Sequence, residues 1–167
     1  MISLSNSENG TANSTAATKR LARSIMVSSD EFSLILACCN SVERQQQVLN
    51  VLTEFSSADI HEILLSPATD TLYTAITTAI GATQLEALMV RGLESVIEIN
   101  QLIISTNIMR NQFRKEFQFP LVLWINDEIL RKLVWLAPDL KDWAASTIRF
   151  DVPQNQLVEA EQQAISA

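Results

Sequence analysis

The residues of this chain that could do chemistry sit in three short strings, each directly after an apolar run: Cys39-Asn40-Ser41-Val42-Glu43-Arg44, Arg91-Gly92-Leu93-Glu94 and Asn126-Asp127-Glu128. If the runs are strands of an open α/β sheet, these strings stand at strand carboxyl ends, where such sheets bind ligands. Phosphate chemistry is the first test. A phosphate-binding loop needs glycines so that backbone N–H groups can wrap the anion, a lysine to neutralise it, and a Ser or Thr for magnesium. The sequence has three glycines, Gly10, Gly81 and Gly92, none near the first string, and none of Lys19, Lys115, Lys132 and Lys141 is placed to serve it. A dinucleotide GxGxxG fingerprint is missing as well. Arg91 stands where a Walker B strand would carry its magnesium-binding acid.

What these strings can still do is cap helices or hold an anion. Glu94 suits a helix start, where a carboxylate complements the dipole, with an acid role as the alternative. Asn126 or Asp127 is a natural N-cap for a helix over residues 128–137, and Asn40 and Ser41 have the same reading for the first helix. The functional alternative is a crevice of Asn40, Ser41, Arg44, Arg91, Glu94, Asn126 and Asp127, in which Arg44 and Arg91 pair with a phosphate beside a helix N-terminus. That site would take a nucleotide or another small anion.

Other reactive types are sparse. His61 falls inside an expected strand with no second histidine, whereas zinc needs three or four convergent ligands and a triad needs an oriented nucleophile. No metal site or resident cofactor is expected. Cys39 at a helix start could be a nucleophile, although a buried small hydrophobe is the simpler reading. Trp124 and Trp135 are expected in the core. Trp143 is expected to be partly exposed and, with Asp139 in the same segment, to be a partner-binding anchor, because Trp is enriched at interface centres.

The elements that position these residues follow from periodicity. The run from Phe32 is apolar on both faces and too short for a helix, so it reads as a buried strand, as do the runs from Ala87 and Leu121, and Ile60 to Leu65 is a further strand candidate. Between them come helical patterns, including Val48, Leu49, Leu52 and Phe55, then Leu72, Tyr73, Ile76 and Ile80 closed by Gly81. One long helix is expected from Val96 to Phe113, then a helix stopped before Pro138, a short one over residues 139–145, and a last strand over 148–152. Strands alternating with helices imply a three-layer α/β sandwich around a mostly parallel five-stranded sheet.

Bulk properties bound the rest. A chain of 167 residues suits one domain, taken here as residues 29–152. Residues 1–28 read as a low-complexity, disordered tail with a short helix over 19–27, and residues 153–167 as a polar tail with helical potential. The net charge of −7 argues against a nucleic-acid surface, which draws on clustered Lys and Arg. No run reaches the length of a membrane helix. The cysteines, Cys38 and Cys39, are adjacent and unsuited to stapling distant segments, so a reducing, cytoplasmic setting is expected.

Several strings together resemble one family, a domain at the amino-terminal side of large bacterial, notably cyanobacterial, tetratricopeptide-repeat proteins, related to STAND-type NTPase modules. They are Phe32-Ser33-Leu34-Ile35-Leu36-Ala37-Cys38-Cys39-Asn40, Gly92-Leu93-Glu94-Ser95, Phe119-Pro120-Leu121-Val122-Leu123-Trp124-Ile125-Asn126-Asp127-Glu128 and Leu136-Ala137-Pro138-Asp139-Leu140-Lys141-Asp142-Trp143. Leu140 stands where the family usually has phenylalanine. The resemblance implies a P-loop NTPase-like core of strand order 5-1-4-3-2 with a degenerate nucleotide site. It points to a non-catalytic interaction or regulatory module of a signalling or defence-type assembly. No repeat array follows Ala167 in the sequence, so the expected partner is a separate protein, such as a repeat-containing one.

Overall fold

The computed structural model describes residues 2–151, with side chains from Thr15 onward. Five parallel strands form one sheet in the order β2-β3-β4-β1-β5: β1 (Ser33–Cys38), β2 (Ile60–Leu64), β3 (Ala87–Arg91), β4 (Pro120–Ile125) and β5 (Ala144–Arg149). This is the order implied by the resemblance, read from the other edge. The central strands β4, β1 and β3 are buried on both faces, as their unbroken apolar runs require, and each fully buried Leu or Ile contributes about 1.5–3 kcal/mol.

The pleat sends alternate side chains to two cores. Leu34, Leu36, Cys38, Leu88, Val90, Leu121, Leu123 and Ile125 face α3 (Leu72–Ile80), α4 (Ile99–Ile108), α5 (Arg110–Glu116), α6 (Asp127–Leu136) and α7 (Pro138–Asp142). Ile35, Ala37, Ala87, Met89, Val122, Trp124 and Ile148 face α1 (Ile2–Val27) and α2 (Val42–Phe55). The three layers expected from the alternation of patterns are present.

Local chemistry explains the boundaries. Ser41 caps α2, its Oγ accepting from the N–H of Arg44 at 3.2 Å, and Asn126 caps α6, its Oδ1 accepting from Ile129 N–H at 2.9 Å. Gly81 ends α3 at φ +54°, a backbone that residues with a Cβ rarely adopt. Pro138 opens α7 where its missing N–H is harmless.

Four expectations need correction. The first helix starts at Ile2 and not near residue 19, running through the segment read as disordered. Its buried stripe of Ala17, Leu21, Ala22 and Ile25 packs on α2 and the sheet, and the Ser, Asn, Thr and Ala residues before it carry no apolar period to reveal a helix. The single helix expected over 96–113 is a 3-10 turn (Leu93–Ser95) followed by α4 and α5, with Met109 leaving the helical region at φ −90°, ψ 8°. The break lets Phe113 and Phe117 join an aromatic row with Tyr73 and Phe119, neighbouring centroids lying 5.4–6.0 Å apart. The last strand starts at Ala144, ahead of the expected 148–152, because an edge strand of small and polar residues carries no apolar signal. Trp135, expected in the core, is 84% exposed on α6. The tail after residue 151 lies outside the described residues.

Candidate functional site

The carboxyl ends of β4, β1 and β5 lie side by side, and the side chains there bond to one another. The turn after β1 supplies Asn40, the start of α6 supplies Asp127, the last residue of β5 is Arg149, and the chain leaving β5 supplies Asp151. Asn40 and Asp127 are joined twice: Asn40 Nδ2 donates to Asp127 Oδ2 at 3.0 Å, and the Asp127 backbone N–H donates to Asn40 Oδ1 at 2.9 Å. Asp127 Oδ1 accepts from Arg149 Nη1 at 2.7 Å, and its carboxylate is 8% exposed. The Asn40 backbone N–H donates to Asp151 Oδ2 at 2.7 Å. Charge-assisted bonds of this length are the stronger class of hydrogen bond.

The position of that last bond matters. Asn40 is the second residue after β1, and its amide is among those of the turn that a phosphate-binding loop would use to wrap an anion. Here a carboxylate of the same chain takes that amide, and Asp127 adds a second negative charge nearby. A lone carboxylate about 4 Å away would repel another anion by roughly 4 kcal/mol at the effective dielectric near a protein surface, and the Arg149 guanidinium bonded to Asp127 offsets part of that.

The flanking residues are engaged too. Arg44 Nη1 donates to Phe150 O at 3.3 Å, tying α2 to the strand that leaves β5. Arg91 Nε donates to Gln45 Oε1 at 3.0 Å and its Nη1 to Glu62 Oε1 at 2.6 Å, so the guanidinium is spent on α2 and the edge strand β2. Gln45 is buried for this purpose at a position where the helix would otherwise carry an apolar residue. Glu94 is not at the start of the long helix. It sits in the 3-10 turn after Gly92, whose φ of +89° and tight surroundings, 3.0 Å from an added Cβ to Leu64, explain a glycine there.

Asn40, Glu94 and Asn126 line a common cavity together with Cys39, Val42, Gln45 and Ile125, so the strings do converge. Its volume is about 40 Å³. A water needs about 10–15 Å³ measured this way, and ligand pockets start at about 300 Å³. The crevice holds water-sized guests and has no room for a nucleotide.

Burial raises both thiols to about 11, and desolvation is the chief cause for each. Around Cys38 the nearby Arg149 lowers the value and Asp127 raises it, while Cys39 donates to Ser41 O at 3.2 Å and is raised further by Asp151. A neutral thiol bonded to a carbonyl is a small hydrophobe and not a nucleophile at neutral pH. His61 is an exposed edge residue 3.5 Å from Asp59. Among the described residues no group of three or more His, Cys, Asp or Glu could hold a metal.

The two residues expected to bind a partner lie at the other end of the domain, beside α4 and α5. Trp143 is half-buried, with the Arg114 guanidinium 3.9 Å and the Arg110 guanidinium 5.7 Å from its ring centroid. Asp139 lies 3.6 Å from Arg110 and stays exposed. Sequence reasoning missed Arg149, Asp151 and Gln45. The strand expected over 148–152 runs past the observed end of β5 at Arg149, so Asp151 reads as a strand residue, and only the pairing of β5 with β1 brings Arg149 and Asp151 to Asp127 and Asn40. No protein-family model matches the chain, and no curated protein matches it.

Proposed function

We propose that this chain is a non-catalytic interaction or regulatory module of a signalling or defence-type assembly in the cytoplasm, descended from a STAND-like NTPase domain. The observation that carries the reading is the bond from the Asn40 N–H to Asp151, inside a network with Asp127 and Arg149. That network uses the amide, the volume and the charge that a nucleotide phosphate would need. The strand order and the three strings at the strand ends support the descent.

A protein partner would meet the helices that cover β4. Trp135 is 84% exposed on α6, beside Val134 at 52%, and large exposed aromatics are the usual centres of protein contacts. Trp143 and Asp139 extend the contact toward α7, although stacking of Arg114 over Trp143 makes Trp135 the better anchor.

Two experiments test this. Calorimetric titration with ATP, ADP and GTP, with and without magnesium, is expected to give no saturable heat. Micromolar binding abolished by Arg91→Ala would replace the proposal with an anion-binding domain. A protein partner retained by the wild-type chain and lost with Trp135→Ala, at unchanged melting temperature, is expected. Binding indifferent to substitution of Trp135, Trp143 and Asp139 would contradict contact through this face.

A further inference from the structure

A second cleft lies at the amino end of the sheet, remote from the crevice above. It encloses about 370 Å³ between the end of α3, the end of α5 and the segments leading into β1, β3 and β4. That volume falls within the range of small-ligand sites. The lining has one sign of charge: Asp30 and Glu116 contribute carboxylates, and no Lys or Arg is among the residues around it.

Three further features fit a positively charged guest. Glu116 is held in place, its Oε2 accepting from Tyr73 Oη and its Oε1 from Gln112 Nε2, both at 2.5 Å. A carboxylate fixed by its neighbours loses little freedom when it takes another donor. The carbonyl end of α3, closed by Gly81, faces the same cleft and adds the negative end of a helix dipole. Leu85 and Phe117 give the cleft an apolar side, and Gln118 and Thr83 add polar atoms. Of the two basic residues before Glu116, Arg114 stacks on Trp143 and Lys115 is not among the residues that line the cleft.

We propose that this cleft is a binding site for an organic cation, a primary ammonium or guanidinium on a short apolar stem, with Glu116 and Asp30 as its charge partners. The same chemistry can come from a free amine or from a Lys or Arg side chain of another protein. The site does not depend on the function proposed for the rest of the domain.

Amide chemical shifts of the full chain, followed during titration, distinguish the sources. The probes are n-butylammonium, n-butylguanidinium, and the Nα-acetyl methylamides of lysine and arginine, with butyrate as the anionic control. Saturable shifts at Gly81, Gln84 and Gln118 are expected with a Kd of about 1 mM or tighter for at least one cation, and none for butyrate. Tighter binding of the simple amines marks a free ligand, and tighter binding of the amino-acid probes marks a side chain. Glu116→Gln keeps the shape and removes the charge, and Asp30→Asn keeps a residue type that tolerates the φ of +66° found there. Each is expected to weaken binding at least tenfold with the remaining spectrum unchanged. Absence of saturation at about 20 mM of every cation, or binding equal in both variants and wild type, overturns the proposal.

Discussion

The two ends of the sheet contrast in what fills them. At the carboxyl end, Asn40, Asp127, Arg149 and Asp151 bond to one another and leave about 40 Å³. At the amino end, the ends of α3 and α5 and the segments leading into β1, β3 and β4 leave about 370 Å³ edged by Asp30 and Glu116. In open α/β sheets ligands favour the first end, because crossovers splay apart there and helix N-termini point at it. This chain fills that end with its own carboxylates. A fold's usual ligand site is therefore a statement about backbone geometry, and the side chains decide whether the place is free.

If the carboxyl end is a structural knot, cutting it should cost stability, whereas the amino end should tolerate change. The largest effect is expected from Asp127→Ala, which strands Arg149 and the Asn40 side-chain Nδ2. Removing one partner of a buried pair costs about 3–5 kcal/mol, and the partial exposure of Arg149, 38%, brings the expectation down to about 2–3 kcal/mol in urea unfolding. A loss below about 0.5 kcal/mol would mean the network is ornamental.

Next comes alkaline pH. Both thiols are raised above 9.0 to about 11, so the folded state keeps protons that the unfolded chain releases. Their contribution is whole below pH 9 and falls as pH rises toward 11, by about 2 kcal/mol for one thiol. Unfolding at pH 8 and pH 10.5 should show this fall in the wild type and a smaller one in Cys38→Ala. Equal falls would contradict burial as the cause.

Asp151→Ala is expected to lose about 1–2 kcal/mol, the worth of one charge-assisted bond to the Asn40 amide. Faster hydrogen exchange at that amide would accompany it. The smallest effects belong to the surface: Trp135→Ala should change stability by less than about 0.5 kcal/mol, and a larger loss would show that the indole is packed after all.

Much of the sheet is legible in the sequence because β1, β3 and β4 are buried on both faces and must be apolar throughout. Leu34 to Cys38 and Leu121 to Ile125 admit no other reading. The edges are less legible. β5 is Ala-Ala-Ser-Thr until Ile148, which one buried face suffices to hold, and its start was placed four residues late. Trp135 illustrates the opposite error, since an apolar type in a helical pattern reads as core while its angular position on α6 turns it outward.

The candidate site follows the same rule. Asn40, Asn126 and Asp127 could be placed at strand ends from chain order alone, and Ser41 and Asn126 as caps from residue type. That Asp127 is buried against Arg149, and that Asp151 reaches the Asn40 amide, depends on β5 pairing with β1 across more than 100 residues of chain. No local pattern encodes such a contact. Arg91, attractive as an anion ligand by position, is tied instead to Gln45 and Glu62, partners set by the neighbouring strand and the helix above it.

The most direct measurement is an amide-resolved titration of the folded chain with magnesium ATP, read at Asn40, Glu94 and Asp127. With the Asn40 amide bonded to Asp151, these three signals should stay in place at millimolar nucleotide. A saturable movement of the Asn40 signal at micromolar nucleotide would show the amide turning from the carboxylate to a phosphate, and would contradict the account.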